Sequence, residues 1–330
     1  MRRLLSPGWL AATGLVLLAL ALLGAYSIPS GDTYIVLPDR AKPVEPTISV
    51  EGGRPTRDGG GIYFVNVLVR KASLLEEAMP GIHDGAELVP AEQLNPTGAS
   101  EQQRRTTSRL EMSTSQLVAS VVALRHLGYR PRVRVGLIVS SVLPGRPAEG
   151  KLKTGDVVEA VDGRPVDGPA SLRRRIAAGA GRAVRFRVRR GERTLVVRVR
   201  PVRDPEAGLV VGIQIGQSVD ADLPLDVNID TGDVGGPSAG LAFALALLEE
   251  LGRDVDHGRR VVVTGALGLD GTVGPVGGIE QKVIGAQRAG AQLFVVPAGD
   301  NAREARRHAD GLRVVPVQSF RQALQSLATA

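Results

Sequence analysis

Hydrophobic and polar positions follow several distinct rhythms along this chain, and each rhythm predicts a different element. Residues 9–28 carry no charge and are nearly all apolar, a run about as long as the roughly 20 residues that cross a bilayer. Leu110, Met112, Leu117, Val118, Val121, Val122 and Leu124 recur at a helical period, which predicts a helix over 107–127 ended by Gly128. Val184, Phe186 and Val188, then Val197 and Val199, alternate with arginines and predict two strands with one buried face. Residues 260–263 read Arg-Val-Val-Val, the continuous β-branched pattern of a buried strand. Residues 239–251 are strong helix formers stopped by Gly252. Ile48-Ser-Val50 and residues 62–69 read as a hairpin across a glycine-rich turn.

These elements divide the chain. Residues 1–8 form a cytoplasmic N-terminus and residues 9–28 a transmembrane anchor, oriented by Arg2 and Arg3 under the positive-inside rule, with Trp9 and Tyr26 at its ends. An uncleaved anchor is favoured over a signal peptide, whose apolar region spans about 7–15 residues. Residues 29–46, with four prolines, read as a linker. Residues 47–128 hold the hairpin and the helix, 133–203 a strand-rich unit, and 205–330 alternating strands and helices. The fold class expected is α+β.

The 330 residues suffice for two or three domains. Cysteine is absent, which excludes disulfides and thiolate metal sites, and the four histidines are scattered without metal-ligand spacing. No metal or cofactor is expected. The net charge of +7 raises nucleic acid or an anionic lipid surface as partners. Arg185, Arg187, Arg189, Arg198 and Arg200 share one strand face, however, and aromatics make up only 3% of the chain, so stacking platforms for nucleic acid are missing. Gly145-Arg-Pro-Ala-Glu-Gly-Lys151 imitates a phosphate loop, but Leu152 replaces the hydroxyl residue that binds magnesium.

The chemistry concentrates at residues 230–240. Gly232, Gly235, Gly236 and Pro237 force a turn, and Ser238 follows at the mouth of the helix over 239–251. There the first free N–H groups of the helix point toward the hydroxyl and suit a developing oxyanion. A plain helix N-cap is the competing reading of Ser238. Downstream, Lys282 lies among Ile279, Val283, Ile284 and Ala286. Desolvation on such a face lowers an amine's pKa and makes it a base for a Ser–Lys dyad; snorkelling to solvent is the alternative.

Gly236-Pro-Ser-Ala-Gly240, Thr264-Gly265 and Gly274-Pro-Val-Gly-Gly-Ile-Glu-Gln-Lys282, in this order and spacing, resemble the proteolytic domain of Lon-type serine proteases. The helix at 109–124 is similar to an early helix of that domain. Residues 133–203 resemble a bacterial PDZ domain through Gly136-Leu-Ile-Val139, Leu152-Lys-Thr-Gly-Asp-Val157 and Val161-Asp-Gly-Arg-Pro165. The whole layout resembles single-pass bacterial PDZ-containing Lon-like proteases, with the PDZ unit inserted in or preceding the catalytic domain. The resemblance implies that Ser238 is the nucleophile, Lys282 the general base and Thr264 its positioning group. It implies that Gly136, Leu137 and Ile138 hold a peptide carboxylate while the peptide adds as a strand. The activity implied is ATP-independent hydrolysis of extracytoplasmic or membrane-released polypeptides, with the bilayer and a homo-oligomer among the partners. Lon enzymes carry histidines ahead of the serine turn where this chain has Asp226 and Asn228, and Asp233 is given no role. Two rivals stand: an inactive PDZ scaffold, and an α/β-hydrolase-type esterase using Ser238 and His308.

Overall fold

A computed structural model describes residues 7–53, 59–95, 98–232 and 234–329, with side chains from residue 12 onward. The predicted anchor coincides with the helix Pro7–Ser27, whose first residues have side chains outside the described set. Among the described residues no helix is long and apolar enough to cross a membrane. From residue 15 onward the helix leaves Leu15, Leu17, Leu20 and Leu23 exposed.

The expected linker at 29–46 is a correction. Pro29–Pro38 is a strand that pairs antiparallel with both Val67–Ser73 and Glu87–Pro90. Its two prolines sit at the ends, where missing N–H groups cost the ladder nothing, and Ile35 and Val36 are buried. Behind it, Glu76 is clamped by Arg70, His83 Nε2 at 2.7 Å and the Ser73 N–H at 2.9 Å.

The larger unit is built on a five-stranded sheet in the order Lys42–Pro43, Gly61–Phe64, Arg260–Val263, Leu293–Pro297, Arg313–Val317, parallel except for the first strand. Such a sheet is buried on both faces. One face packs on the helix Gly240–Glu250, with Phe243 against Phe64, and the other on Ile279–Arg288 and Asp300–His308 through Ile279, Val283 and Phe294. The expected hairpin is absent: Ile48–Val50 pairs with Val227–Ile229, and Gly61–Phe64 with Arg260–Val263. Both partners lie some two hundred residues away, and β-branched alternation specifies a strand without naming its neighbour.

The second unit is a sheet in the order Arg193–Val199, Val184–Arg190, Val157–Val161, Arg132–Val142, Ile213–Asp222, with the helix Pro169–Ala178 beside it. Phe186, Val184 and Val188 face its core while Arg185 and Arg187 point outward, to Asp162 and Glu159. Buried Asp156 takes both donors of Arg190, at 2.6 and 2.8 Å. Because segments before and after it share one sheet in the larger unit, this second sheet is an insertion.

The helix Glu101–His126 joins the two units. It starts six residues earlier than the apolar period suggests, since Ser100 and Gln103 form a capping box on a polar first turn. Thr107 Oγ1 donates to the Ser140 carbonyl at 2.6 Å on the inserted sheet, and Ser120 to Ala123 are buried in the larger unit.

Candidate active site

Ser238 lies in a turn held from two sides. On one side stands the joining helix. The Gly236 N–H donates to the Ser108 carbonyl at 3.0 Å, Ser115 Oγ donates to the Pro237 carbonyl at 3.1 Å, and Gln116 Nε2 donates to Thr231 Oγ1 at 3.2 Å. The approach is close enough that a Cβ on Gly235 would meet Ser108 Oγ at 2.5 Å, and one on Gly240 would meet Ser115 Oγ at 2.7 Å. These two glycines are therefore demanded by packing. Gly236 is demanded by its backbone, with φ +89°. Asp233 lies outside the described residues.

On the other side stands the end of the central strand. The Ser238 carbonyl accepts from the Gly265 N–H at 2.8 Å and from Thr264 Oγ1 at 3.3 Å. The helix that follows begins at Gly240 with Ala239 as its N-cap and no side-chain cap. Ser238 thus has no capping duty, and the N–H groups of Ser238 and Ala239 find no acceptor among the described residues.

Lys282 sits one turn into Ile279–Arg288, 3% exposed. Its Nζ donates to Thr264 Oγ1 at 3.3 Å. Desolvation by burial lowers its pKa from 10.5 to about 8. Among the described residues no acidic partner offsets that burial, and the shift comes from desolvation. Ser238, Thr264 and Lys282 are brought together, with Thr264 touching both others. No hydrogen bond joins Ser238 Oγ directly to Lys282 Nζ among the described residues; such bonds tighten when substrate arrives. His308 Nδ1 lies 3.7 Å from Glu280 Oε1 and makes no described contact with the serine turn. Glu249, Asp254 and Asp256 converge on the far end of the serine helix, where Glu249 Oε1 accepts from the N–H groups of Val255 and Asp256.

The three residues expected to bind a peptide have their backbone engaged on both sides. Gly136, Leu137 and Ile138 lie on Arg132–Val142, whose two edges are both taken: one by Ile213–Asp222, with Ile138 opposite Gly216, and one by Val157–Val161. A peptide cannot add there. The rim strands of this sheet are Arg193–Val199 and Ile213–Asp222, and the second of them borders the helix Pro169–Ala178. A groove of about 830 Å³ runs between that strand and the helix Pro169–Ala178, lined by Leu172, Ile176, Val211, Ile213 and Ile215. Arg146 and Arg173 also line it, and Gly212, at φ +77°, turns the chain into it. The sequence signal was present in Val211-Gly-Ile-Gln-Ile215, a glycine followed by an aliphatic strand start, as at Gly136-Leu137.

Residues 216–329 match the family model of the Lon protease (S16) C-terminal proteolytic domain, and residues 107–200 match that of a PDZ domain. Lon protease 2 of Bacillus subtilis is 28% identical over 108 residues, 32% of this chain and 19% of that protein. Lon protease 1 of Sorangium cellulosum is 47% identical over 68 residues, 20% of this chain and 8% of that protein. The chain thus spans less than a fifth of the length of these relatives. A solved PDZ domain of an SdrC-like protein from Listeria innocua covers 24% of this chain and 92% of its own, at 23% identity and a TM-score of 0.23. The chain carries a Lon-type proteolytic domain and a PDZ domain.

Proposed function

We propose that the chain is an ATP-independent serine endopeptidase that cuts flexible polypeptides with Ser238 as nucleophile and Lys282 as general base. The observation that carries this reading is the buried Lys282 amine, lowered to about 8 and tied through Thr264 to the Ser238 backbone. In the first step the neutral amine takes the Ser238 hydroxyl proton as Oγ attacks the scissile carbonyl. The resulting oxyanion is met by the unpaired N–H groups of Ser238 and Ala239. Protonated Lys282 then returns the proton to the leaving amine, and water repeats the sequence on the acyl-enzyme. Thr264 has a positioning role: its O–H donates to the Ser238 carbonyl, so its lone pair must accept from Nζ, and the amine's own lone pair is left for the serine.

The groove beside Ile213–Asp222 suits a peptide that adds as a strand, with arginines at hand for a carboxylate. Membrane attachment and an extracytoplasmic catalytic part belong to the same proposal. They are supported by the uncharged run at 9–28, the preceding arginines and the exposed leucines of the first helix. A homo-oligomer is likewise proposed from resemblance alone.

The test is turnover of casein by the full-length protein beside Ser238→Ala, Lys282→Ala and His308→Ala. Loss in the first two with retention in the third is expected. Activity that survives Lys282→Ala but not His308→Ala would favour the esterase-type site, and no turnover with intact peptide binding would favour a scaffold.

A further inference from the structure

A second cavity, of about 370 Å³, opens where the two units meet beside the serine turn. Pro237, the residue before Ser238, lines it, as does Ser115, whose hydroxyl holds the Pro237 carbonyl. One wall is the joining helix, through Leu110 and Val118. A second is the loop at Leu267 and Leu269. The third comes from the inserted sheet, through Ile138, Ser140 and Gly216. Strand alternation explains that third wall: Leu137 and Val139 are buried in the PDZ core, so Ile138 and Ser140 must face the other way, into the cavity. Thr107 Oγ1, bonded to the Ser140 carbonyl at 2.6 Å, fixes the distance between helix and sheet and hence the cavity's width.

We propose that this cavity receives a large apolar side chain of the polypeptide held at Ser238, and that Ile138 makes the PDZ domain a determinant of cleavage preference. The inference rests on the proteolytic reading above. Three features support it. The cavity adjoins the nucleophile's own turn, Leu110, Val118, Ile138, Leu267 and Leu269 line it with aliphatic surface, and its volume holds a leucine- or phenylalanine-sized group. Glu111 is the one carboxylate among the described lining residues; the residue is exposed overall, yet desolvation of its carboxyl raises the pKa above the ordinary carboxylate value, and a carboxylate there disfavours an acidic side chain entering past it. Ile215, opposite Val139, faces the peptide groove, while its neighbour Gly216, opposite Ile138, borders the cavity, so one strand separates the site that captures a peptide from the pocket that reads it. A hydrophobic pocket of this kind discriminates by roughly 10- to 200-fold per methylene gained or lost.

The experiment maps the bonds cut in casein by full-length protein, using mass spectrometry, for wild type, Ile138→Trp, Ile138→Ala and Ser238→Ala. Wild type is expected to share a leucine, methionine or phenylalanine at one fixed position relative to the cut bond. Ile138→Trp, which fills the cavity, is expected to lose at least 10-fold in kcat/KM at those sites relative to sites with alanine or serine. Ile138→Ala is expected to shift preference toward the largest side chains. Thermal unfolding shows whether the tryptophan variant folds; if it does not, the alanine variant decides by its shift. Folded variants with an unchanged cleavage profile overturn the pocket and leave the protease standing. Casein left uncut by wild type overturns the protease reading, and the pocket with it.

Discussion

Lys282 Nζ donates to Thr264 Oγ1 at 3.3 Å, and Thr264 Oγ1 in turn donates to the Ser238 carbonyl at 3.3 Å. One hydroxyl therefore contacts both, and in the proposed mechanism it aims the base and braces the nucleophile's backbone. Thr264→Val keeps the shape and removes both bonds. Its kcat should fall by about 10- to 100-fold, in line with groups that support a catalytic residue, with little change in KM. The variant leaves the amine with no polar partner, which disfavours its cation further, so the alkaline rise in rate should move to lower pH. Thr264→Ser should recover most of the rate. A Thr264→Val enzyme with the wild-type pH profile would remove Thr264 from this role.

As the proposed general base, Lys282 would work only when neutral, so kcat/KM should rise with pH and level off above about 8. The same shift has a cost in folding. Lys282 is charged up to 10.5 when unfolded and only up to about 8 when folded. The folded state is therefore penalised fully below about 8, and the penalty fades as pH climbs toward 10.5. At ~1.4 kcal/mol per unit the penalty on the cation near neutrality is about 3 kcal/mol. Lys282→Met should abolish turnover yet unfold at a higher temperature than wild type at pH 7, and the gap should narrow by pH 10. Equal melting temperatures at both values would show that the amine is solvated in solution.

Gly240 opens the serine helix, where alanine would ordinarily gain about 1 kcal/mol over glycine. Here a Cβ would stand 2.7 Å from Ser115 Oγ and 3.2 Å from Leu267 Cβ. Gly240→Ala should instead destabilise by about 1–3 kcal/mol, the range for overpacking. Combining it with Ser115→Ala removes the nearer clash, so denaturant melts of the four proteins should show coupling above about 0.5 kcal/mol. Additive losses would mean that the helix mouth is looser than drawn.

The elements that bring Ser238, Thr264 and Lys282 together were legible because their signals are local. Gly236-Pro-Ser-Ala-Gly240 and the helix around Lys282 each declare themselves within a dozen residues, and the resemblance joined them. What escaped were pairings between distant segments. Ile48–Val50 finds its partner at Val227–Ile229, and nothing in either triplet names the other. The strand Pro29–Pro38 was hidden by prolines that prove to be terminal. The peptide edge was misplaced for a related reason. Gly136-Leu137 and Gly212-Ile213 present the same local pattern, and only the sheet order shows that the first strand is central and the second is at the rim.

That difference in sheet position carries its own prediction. An edge strand has unpaired N–H and C=O groups ready for a further strand, and Ile213–Asp222 presents them beside an apolar helix face. Ala177 is exposed on that face and lines the groove, so Ala177→Trp fills it without touching the core. Peptides ending in an apolar residue and a free carboxylate should bind wild type and lose at least 10-fold in affinity to this variant, measured by fluorescence anisotropy at unchanged melting temperature. Leu137 sits in the core of the same sheet, so Leu137→Val should weaken the fold slightly and leave the affinity alone. The reverse result, with binding sensitive to Leu137 and blind to Ala177, would return the peptide site to the central strand and require Ile213–Asp222 to leave the sheet in solution.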